Sequence, residues 1–351
     1  MVLNVLLFLL VLLIILILIK ILMPNFIEIN LILLHAGWRC FETICQDYMN
    51  APRYNTVSLY SQSSSVAVLT GGSRGLGLGV LKKLLQCEMT VILGVRNIEA
   101  ARKSVESYID SSLLMNKVIY ENCDTGDLSS VREFAKRVQE RFRGINLLIN
   151  NAGIMEVPFK LTKDGFESQM AINYIGHFLL THLLMPQLIY GSKESGKTSR
   201  VVSVSSCSHF VGKIRYNDFN YTNIYHGQIS YSDSKLAQVM FTRHLHEMCK
   251  ENNWNVHAYS CHPGFVNTGL FATSLFGPLD KFREFVCKNL EQGARTVVYA
   301  AIAPEIESNG GAYITNCRPS KMSYKAMDNA ECRKLFLFTC DRLGIKSFGS
   351  E

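Results

Sequence analysis

The sequence predicts a single doubly wound α/β domain built on a seven-stranded parallel sheet. Three observations carry this reading. Short β-branched runs alternate with helical patterns, a glycine-rich turn joins the first run to the first helix, and no 20 to 50-residue repeat points to a solenoid or propeller. The 351 residues are 48% hydrophobic and 19% charged, ample for one core of that kind.

The chain opens on an apolar stretch. Val5 to Ile19 is uninterrupted and, past Lys20, the run continues to Met23, roughly 20 residues and long enough to cross a bilayer. A cleaved signal peptide has a basic start and a short apolar core. Here no Lys or Arg precedes Lys20 and the core is overlong, so residues 1–23 read as an uncleaved transmembrane anchor. Lys20, Arg39 and Arg53 follow it, which places the N-terminus outside and the remainder in the cytosol. Residues 24–64 read as a juxtamembrane linker, apolar over 25–34, where it is suited to lie along the membrane, and polar over 60–65.

The domain occupies residues 65–351, with strands expected at 66–69, 90–93, 118–120, 147–149, 201–204, 256–259 and 312–315. Ligands of such sheets bind beyond the carboxyl ends of the strands, where the strand order reverses. Thr70-Gly-Gly-Ser-Arg-Gly-Leu-Gly77 sits at such an end, before a helix-like Val80 to Leu85. Gly71, Gly75 and Gly77, with Ser73, Arg74 and Leu76 between them, let backbone approach a pyrophosphate at a helix N-terminus. The second strand ends Leu93-Gly-Val-Arg96-Asn97, with no acid for a ribose 2'-hydroxyl. Arg96 and Arg74 suit a 2'-phosphate instead, so NADP(H) is the expected cofactor and NAD(H) the alternative. A solvated Arg96 is the plainer reading of that residue. Asp124 after the third strand, and Asn151, Ala152 and Gly153 after the fourth, fall where adenine and ribose would lie.

Tyr231 and Lys235 stand four residues apart in Tyr-Ser-Asp-Ser-Lys. Together with Thr-Gly-x-x-x-Gly-x-Gly, Asn-Asn-Ala-Gly and Pro263-Gly-Phe-Val-Asn-Thr268, they make residues 65–320 resemble the short-chain dehydrogenase/reductase family, with its Rossmann-type fold. The resemblance implies a catalytic tetrad of Asn173, Ser206, Tyr231 and Lys235, with Ser205 as the competing serine. Carbonyl reduction needs a hydride, a proton for the nascent alkoxide and donors to polarise the C=O. Tyr231 is the expected acid/base. A free phenol has a pKa of about 10, and Lys235, one helical turn along, is expected to lower it and to hold the nicotinamide ribose. Ser206 would bond the substrate oxygen. By resemblance, Asn173 interrupts a helix and positions Lys235 through water, while Pro263, Gly264, Val266 and Thr268 contact the nicotinamide carboxamide.

Residues 150–155, 173–180 and 234–237 look most like the retinol dehydrogenase and X-linked dehydrogenase/reductase branch, which implies a lipophilic retinoid, sterol or polyprenoid substrate. Ser232-Asp233 replaces the Cys-His usual in retinol dehydrogenases. The apolar segment Leu270–Val286 suits a mobile lid over such a substrate, beside membrane lipid. The resemblance also implies the endoplasmic reticulum and is compatible with a homodimer.

Other features carry plainer readings. His177, His209 and His262 are expected to be structural. Eleven cysteines with no Cys-x-x-Cys pair and no His partner spacing give neither a metal site nor a disulfide framework. The net charge of +7 is dispersed, with no basic run interleaved with aromatics, so no nucleic acid is expected. Asn220-Tyr-Thr222 reads as a chance glycosylation match. A non-catalytic nucleotide-binding or scaffolding protein that retains the fold is the alternative function.

Overall fold

The computed structural model describes residues 26–270, apart from 116 and 224, and 286–350. One sheet has the order β3-β2-β1-β4-β5-β6-β7-β8. Its strands are β1 (Val66–Thr70), β2 (Thr90–Val95), β3 (Val118–Asn122), β4 (Leu147–Asn150), β5 (Ser199–Val204), β6 (Val256–His262), β7 (Tyr313–Thr315) and β8 (Arg318–Ser320). The longer helices are α1 (Phe26–Tyr54), α2 (Gly75–Gln86), α3 (Ile98–Tyr108), α4 (Leu128–Arg141), α5 (Gly176–Ser195), α6 (Gly227–Glu251), α7 (Leu290–Ile302) and α8 (Asn329–Leu343). β1 pairs in parallel with both β2 and β4, so the strand order reverses there and the connections on either side leave a crevice at the carboxyl ends.

The pleat sends alternate side chains to opposite faces. Val68, Ile92, Leu148 and Val201 face one cluster with Phe134, Phe178, Phe241 and Phe336. Leu69, Leu93, Ile149 and Val202 face the other, with Leu81, Leu84, Val105 and Val297. Both faces are covered, as a parallel sheet requires.

The seven parallel strands match the expected runs, and an eighth joins them antiparallel to β7. β8 has only three residues, includes Pro319 and holds no β-branched side chain, so composition does not mark it. The turn makes it: Asn316 and Cys317 both have positive φ, 46° and 52°, which folds the chain straight back onto β7. Pro319 lacks a donor but sits in an edge strand, where none is required.

The stretch expected as a linker differs more. It holds α1, 29 residues long, bolted to the carboxyl edge of the sheet. Lys288 Nζ lies 3.0 Å from Asp47 Oδ1 and both are buried; the same carboxylate oxygen accepts from Asn316 Nδ2 at 3.0 Å. The Asp47 carboxylate also accepts from Phe265 N at 3.3 Å, and at the helix end Asn55 Nδ2 donates to Gln292 O at 2.9 Å. Apolar residues occur on both the inner and outer faces of α1, which blurs the helical period that would have marked it. The expected anchor, residues 1–23, and most of the expected lid, 271–285, lie outside the described residues. Among the described residues no helix is long and apolar enough to cross a membrane.

Removing one partner of a buried ion pair strands the other charge. Asp47→Ala is therefore expected to cost about 3 kcal/mol in urea unfolding of the detergent-solubilised chain. The double variant Asp47→Leu/Lys288→Met should recover most of that loss; equal losses in both would refute the pairing as the anchor of α1.

Candidate active site

A cleft of about 440 Å³ lies along the carboxyl ends of the strands. The loop after β1 forms one end. Gly71 and Gly75 have φ of 66° and 53°, and a Cβ on Gly77 would lie 2.3 Å from Gly71 O, so a side chain there would fill the turn. α3, α4, α7 and α8 are each capped by a side chain, from Asn97, Asp127, Asn289 and Asp328. At α2 the cap position is Arg74, extended, with no side-chain cap bond and no acid in the first turn. Its first N–H groups line the cleft without the side-chain capping that those four helices have, which fits an anionic diphosphate. Arg74 and Arg96 both line the cleft with exposed side chains.

The other expected cofactor contacts line the same space. Asp124 follows β3 and closes a turn by accepting from Gly126 N at 2.9 Å. Asn151 Nδ2 donates to Thr70 O at 2.8 Å, tying the β4 end to the glycine loop, and Ala152 and Gly153 follow it. Ser73 and Leu76 belong to the glycine loop, and Pro263, Gly264, Val266 and Thr268 form the opposite wall.

α6 carries Tyr231 and Lys235, both buried. The phenol interacts with the Ser206 side chain. Ser205, the competing serine, donates instead to the main-chain oxygen of Lys235 at 2.8 Å and so holds α6 against β5. Lys235 Nζ donates to Val204 O at 2.9 Å and Gln238 Oε1 at 3.0 Å, and lies 5.5 Å from the centre of the Tyr231 ring.

One expectation is corrected here. Tyr231 was expected to have a lowered pKa, yet burial pushes it above the ordinary value, the Ser206 side chain pulls it back only in part, and Cys207 adds to the rise. Burial likewise lowers Lys235, to about 7. Desolvation disfavours both charged forms, and it outweighs the mutual help a nearby cation gives a phenolate. Asn173 interrupts a helix, in the π-type turn Ala171–Ile175. Its amide accepts from Ile154 N at 2.9 Å and donates to Ile154 O at 3.0 Å and Ser234 Oγ at 2.9 Å, bracing the post-β4 loop directly on α6.

His177 and His209 are each pushed to about 4 by burial and are neutral. His209 Nδ1 donates to Ser206 O at 2.7 Å and its Nε2 accepts from Ser323 N at 3.1 Å. His262 lines the cleft near Cys207. Asn220, of the chance glycosylation match, commits its amide to Gly165 O at 2.7 Å.

Sequence reasoning missed one wall. Cys40 of α1 reaches the cleft beside Cys207, with Glu156 and Met155 close by. The neighbouring Cys207 and burial both raise the Cys40 thiol. Arg39 lies 3.6 Å over the Phe210 ring beside them. No spacing in the chain relates residue 40 to residue 207, so no sequence signal pointed to this contact.

A glycine-loop cleft leading to a serine after β5 and to a tyrosine and a lysine on α6 defines an oxidoreductase of the dinucleotide-binding α/β class. Residues 65–275 match the short chain dehydrogenase family, and the chain belongs to it. It is 36% identical to polyprenol dehydrogenase of Homo sapiens over 288 residues, 80% of this chain and 85% of that protein. It is 35% identical to retinol dehydrogenase 12 of Bos taurus, over 80% of this chain and 87% of that one. Among solved structures, an uncharacterised protein from Mycobacterium paratuberculosis superposes with a TM-score of 0.66 at 30% identity, covering 84% of this chain and 98% of the other. The NADPH-bound carbonyl reductase from chicken fatty liver does so with a TM-score of 0.57 at 23% identity, over 76% of this chain and 100% of that one.

Lys235 gives a pH test. The unfolded chain holds its proton to the ordinary lysine value of 10.5, whereas the folded chain releases it near 7, so a penalty present below pH 7 is relieved as pH rises. The stability difference between wild type and Lys235→Met, by chemical unfolding without nucleotide, should shift toward wild type by up to about 1.4 kcal/mol per pH unit from pH 7.5 to 9.5. A flat difference would contradict a desolvated lysine.

Proposed function

We propose that this protein is a membrane-anchored, NADP(H)-dependent oxidoreductase that interconverts a lipophilic alcohol and its aldehyde or ketone, of retinoid, sterol or polyprenoid type. The observation that carries the reading is that Tyr231, Ser206 and Lys235 meet in the cleft that also holds the glycine loop. Relatives named polyprenol and retinol dehydrogenases support the substrate class. Met155, Val157, Phe265 and Leu270 support it too, as apolar walls beside the polar Glu156 and Gln228. The NADPH of the carbonyl reductase neighbour, together with Arg74 and Arg96, supports the cofactor. The apolar run before residue 24 supports a membrane anchor, the basic residues after it support a catalytic part in the cytosol, and the endoplasmic reticulum is the membrane that the family resemblance implies.

In this reading the uncapped α2 N-terminus and Gly71 to Gly77 hold the diphosphate, and Arg74 and Arg96 hold the 2'-phosphate. Asp124 and Asn151 to Gly153 line the adenosine side, and Pro263 to Thr268 the carboxamide. The bound nicotinamide supplies the hydride that the carbonyl carbon accepts, or takes it back in oxidation. Ser206 donates to the substrate oxygen and orients it toward Tyr231. A phenol whose pKa is raised keeps its proton at neutral pH, so Tyr231 is set to act as the acid. As the C=O π pair becomes an oxygen lone pair, the Tyr231 proton moves to that oxygen and the alcohol forms. The phenolate left behind is stabilised by the Ser206 hydroxyl and by Lys235, whose pKa of about 7 lets it relay a replacement proton. Asn173 keeps α6 in place under this pair.

Tyr231→Phe is expected to lower kcat/KM by about 10²–10⁴ while leaving NADPH binding, read by nicotinamide fluorescence, unchanged. Arg96→Ala should weaken NADPH by about tenfold and leave NADH nearly unaffected. If the wild type binds neither nucleotide, or consumes none with retinal, polyprenals and steroid ketones in detergent, the proposal fails and the scaffold reading stands.

A further inference from the structure

α1 has two unlike faces. Its inner face carries Cys40 into the cleft wall and Asp47 onto Lys288, which fixes how the helix is rotated. Its outer face is apolar. Leu31, Leu34, Trp38, Phe41 and Tyr48 are 61%, 73%, 63%, 59% and 82% exposed, and with Cys45 they follow a three–four spacing that forms one stripe. From Leu31 to Tyr48 the stripe runs about 26 Å at 1.5 Å per residue. The charged residues of 30–49 are Arg39, Glu42 and Asp47; Asp47 is buried, and Arg39 and Glu42, with side chains 23% and 37% exposed, pair with each other at 2.6 Å. A water-facing helix whose partly exposed charges neutralise each other and whose outer face carries these large apolar side chains has a partner.

We infer that this face lies in the plane of a lipid bilayer, buried at the boundary between headgroups and acyl chains, so that α1 is a membrane-docking helix as well as a wall of the cleft. Two observations favour lipid. The sequence immediately ahead of α1, Val5 to Met23, is apolar but for Lys20, so the helix begins where the chain's chemistry already suits a membrane. The stripe centres on Trp38, Phe41 and Tyr48, the aromatic types that settle at membrane interfaces, whereas a seam between two copies of the helix favours aliphatic side chains at these positions. The helix packs across the carboxyl edge of the sheet, so one helix diameter, about 10 Å, would separate lipid from the cleft at Cys40. The inference concerns the surface alone and does not depend on the reaction.

Trp38 and Trp254 are the two tryptophans of the chain, which allows a direct test. The full-length Trp254→Phe variant is reconstituted in phosphatidylcholine vesicles brominated at shallow or deep acyl positions, and Trp38 fluorescence is followed with and without aqueous iodide. Strong quenching by shallow bromines, weaker quenching by deep ones and none by iodide is the expected result. Adding Leu34→Glu and Phe41→Glu, both at exposed sites, should abolish the bromine quenching and open Trp38 to iodide. Quenching by iodide alone places the face in water and overturns the inference. Strongest quenching by the deepest bromines makes α1 a spanning helix, which also overturns it. Protection from both quenchers, with a dimer by sedimentation, assigns the face to a second copy and overturns it likewise. Nucleotide binding, measured in the same samples, reports separately on the proposed function.

Discussion

Where β1 and β4 part, the main chain loses the ladder that elsewhere satisfies its donors, and one threonine hydroxyl takes over that task. Thr70 Oγ1 accepts from Asn151 N at 3.0 Å and Ala152 N at 3.1 Å, and lies 2.9 Å from His177 Nε2. His177 Nδ1 is 3.0 Å from Asn173 O, a carbonyl that can only accept, so the imidazole proton sits on Nδ1. Burial keeps the ring neutral, and Nε2 therefore accepts the threonine hydrogen. Asn173 continues the chain to Ile154 and to Ser234, next to Lys235 on α6. The glycine loop, the β4 end, the π-type turn and α6 are thus one hydrogen-bonded body. The cleft keeps its shape because each of these groups would otherwise be a buried polar atom without a partner.

The chemistry inside that body is governed more by exclusion of water than by charge pairing. A lysine and a tyrosine at helical spacing invite the reading of a cation that ionises a phenol. The folded chain buries both, and loss of hydration opposes an ionised phenol and an ionised amine alike. The result favours a protonated tyrosine next to an amine close to its titration point. That pairing suits delivery of a proton to a substrate oxygen and its later replacement.

α1 links this interior to the outside. Its Asp47 meets Lys288, Asn316 and Phe265 near the wall expected to contact the carboxamide, while Cys40 and Arg39 meet the turn after β5 through Cys207 and Phe210. A segment that precedes the family match therefore completes the cleft from outside the core of the fold. Its rotation is fixed by buried polar contacts on one side, which leaves the apolar side turned outward.

Much of the molecule was legible in the amino-acid order. The seven parallel strands follow β-branched runs, the glycine loop follows from Gly71, Gly75 and Gly77, and Ser206, Tyr231 and Lys235 do meet in one cleft. These are local patterns, or motifs whose spacing already encodes the turn or helix that carries them. Tertiary structure alone decided the rest. The β8 edge depends on two positive φ angles at Asn316 and Cys317, which residue type permits without requiring. The place of α1 over the cleft, the Cys40–Cys207 contact and the direction of the Tyr231 and Lys235 shifts depend on which distant groups exclude water from which others. Burial is a property of the packed whole, and spacing along a chain does not contain it.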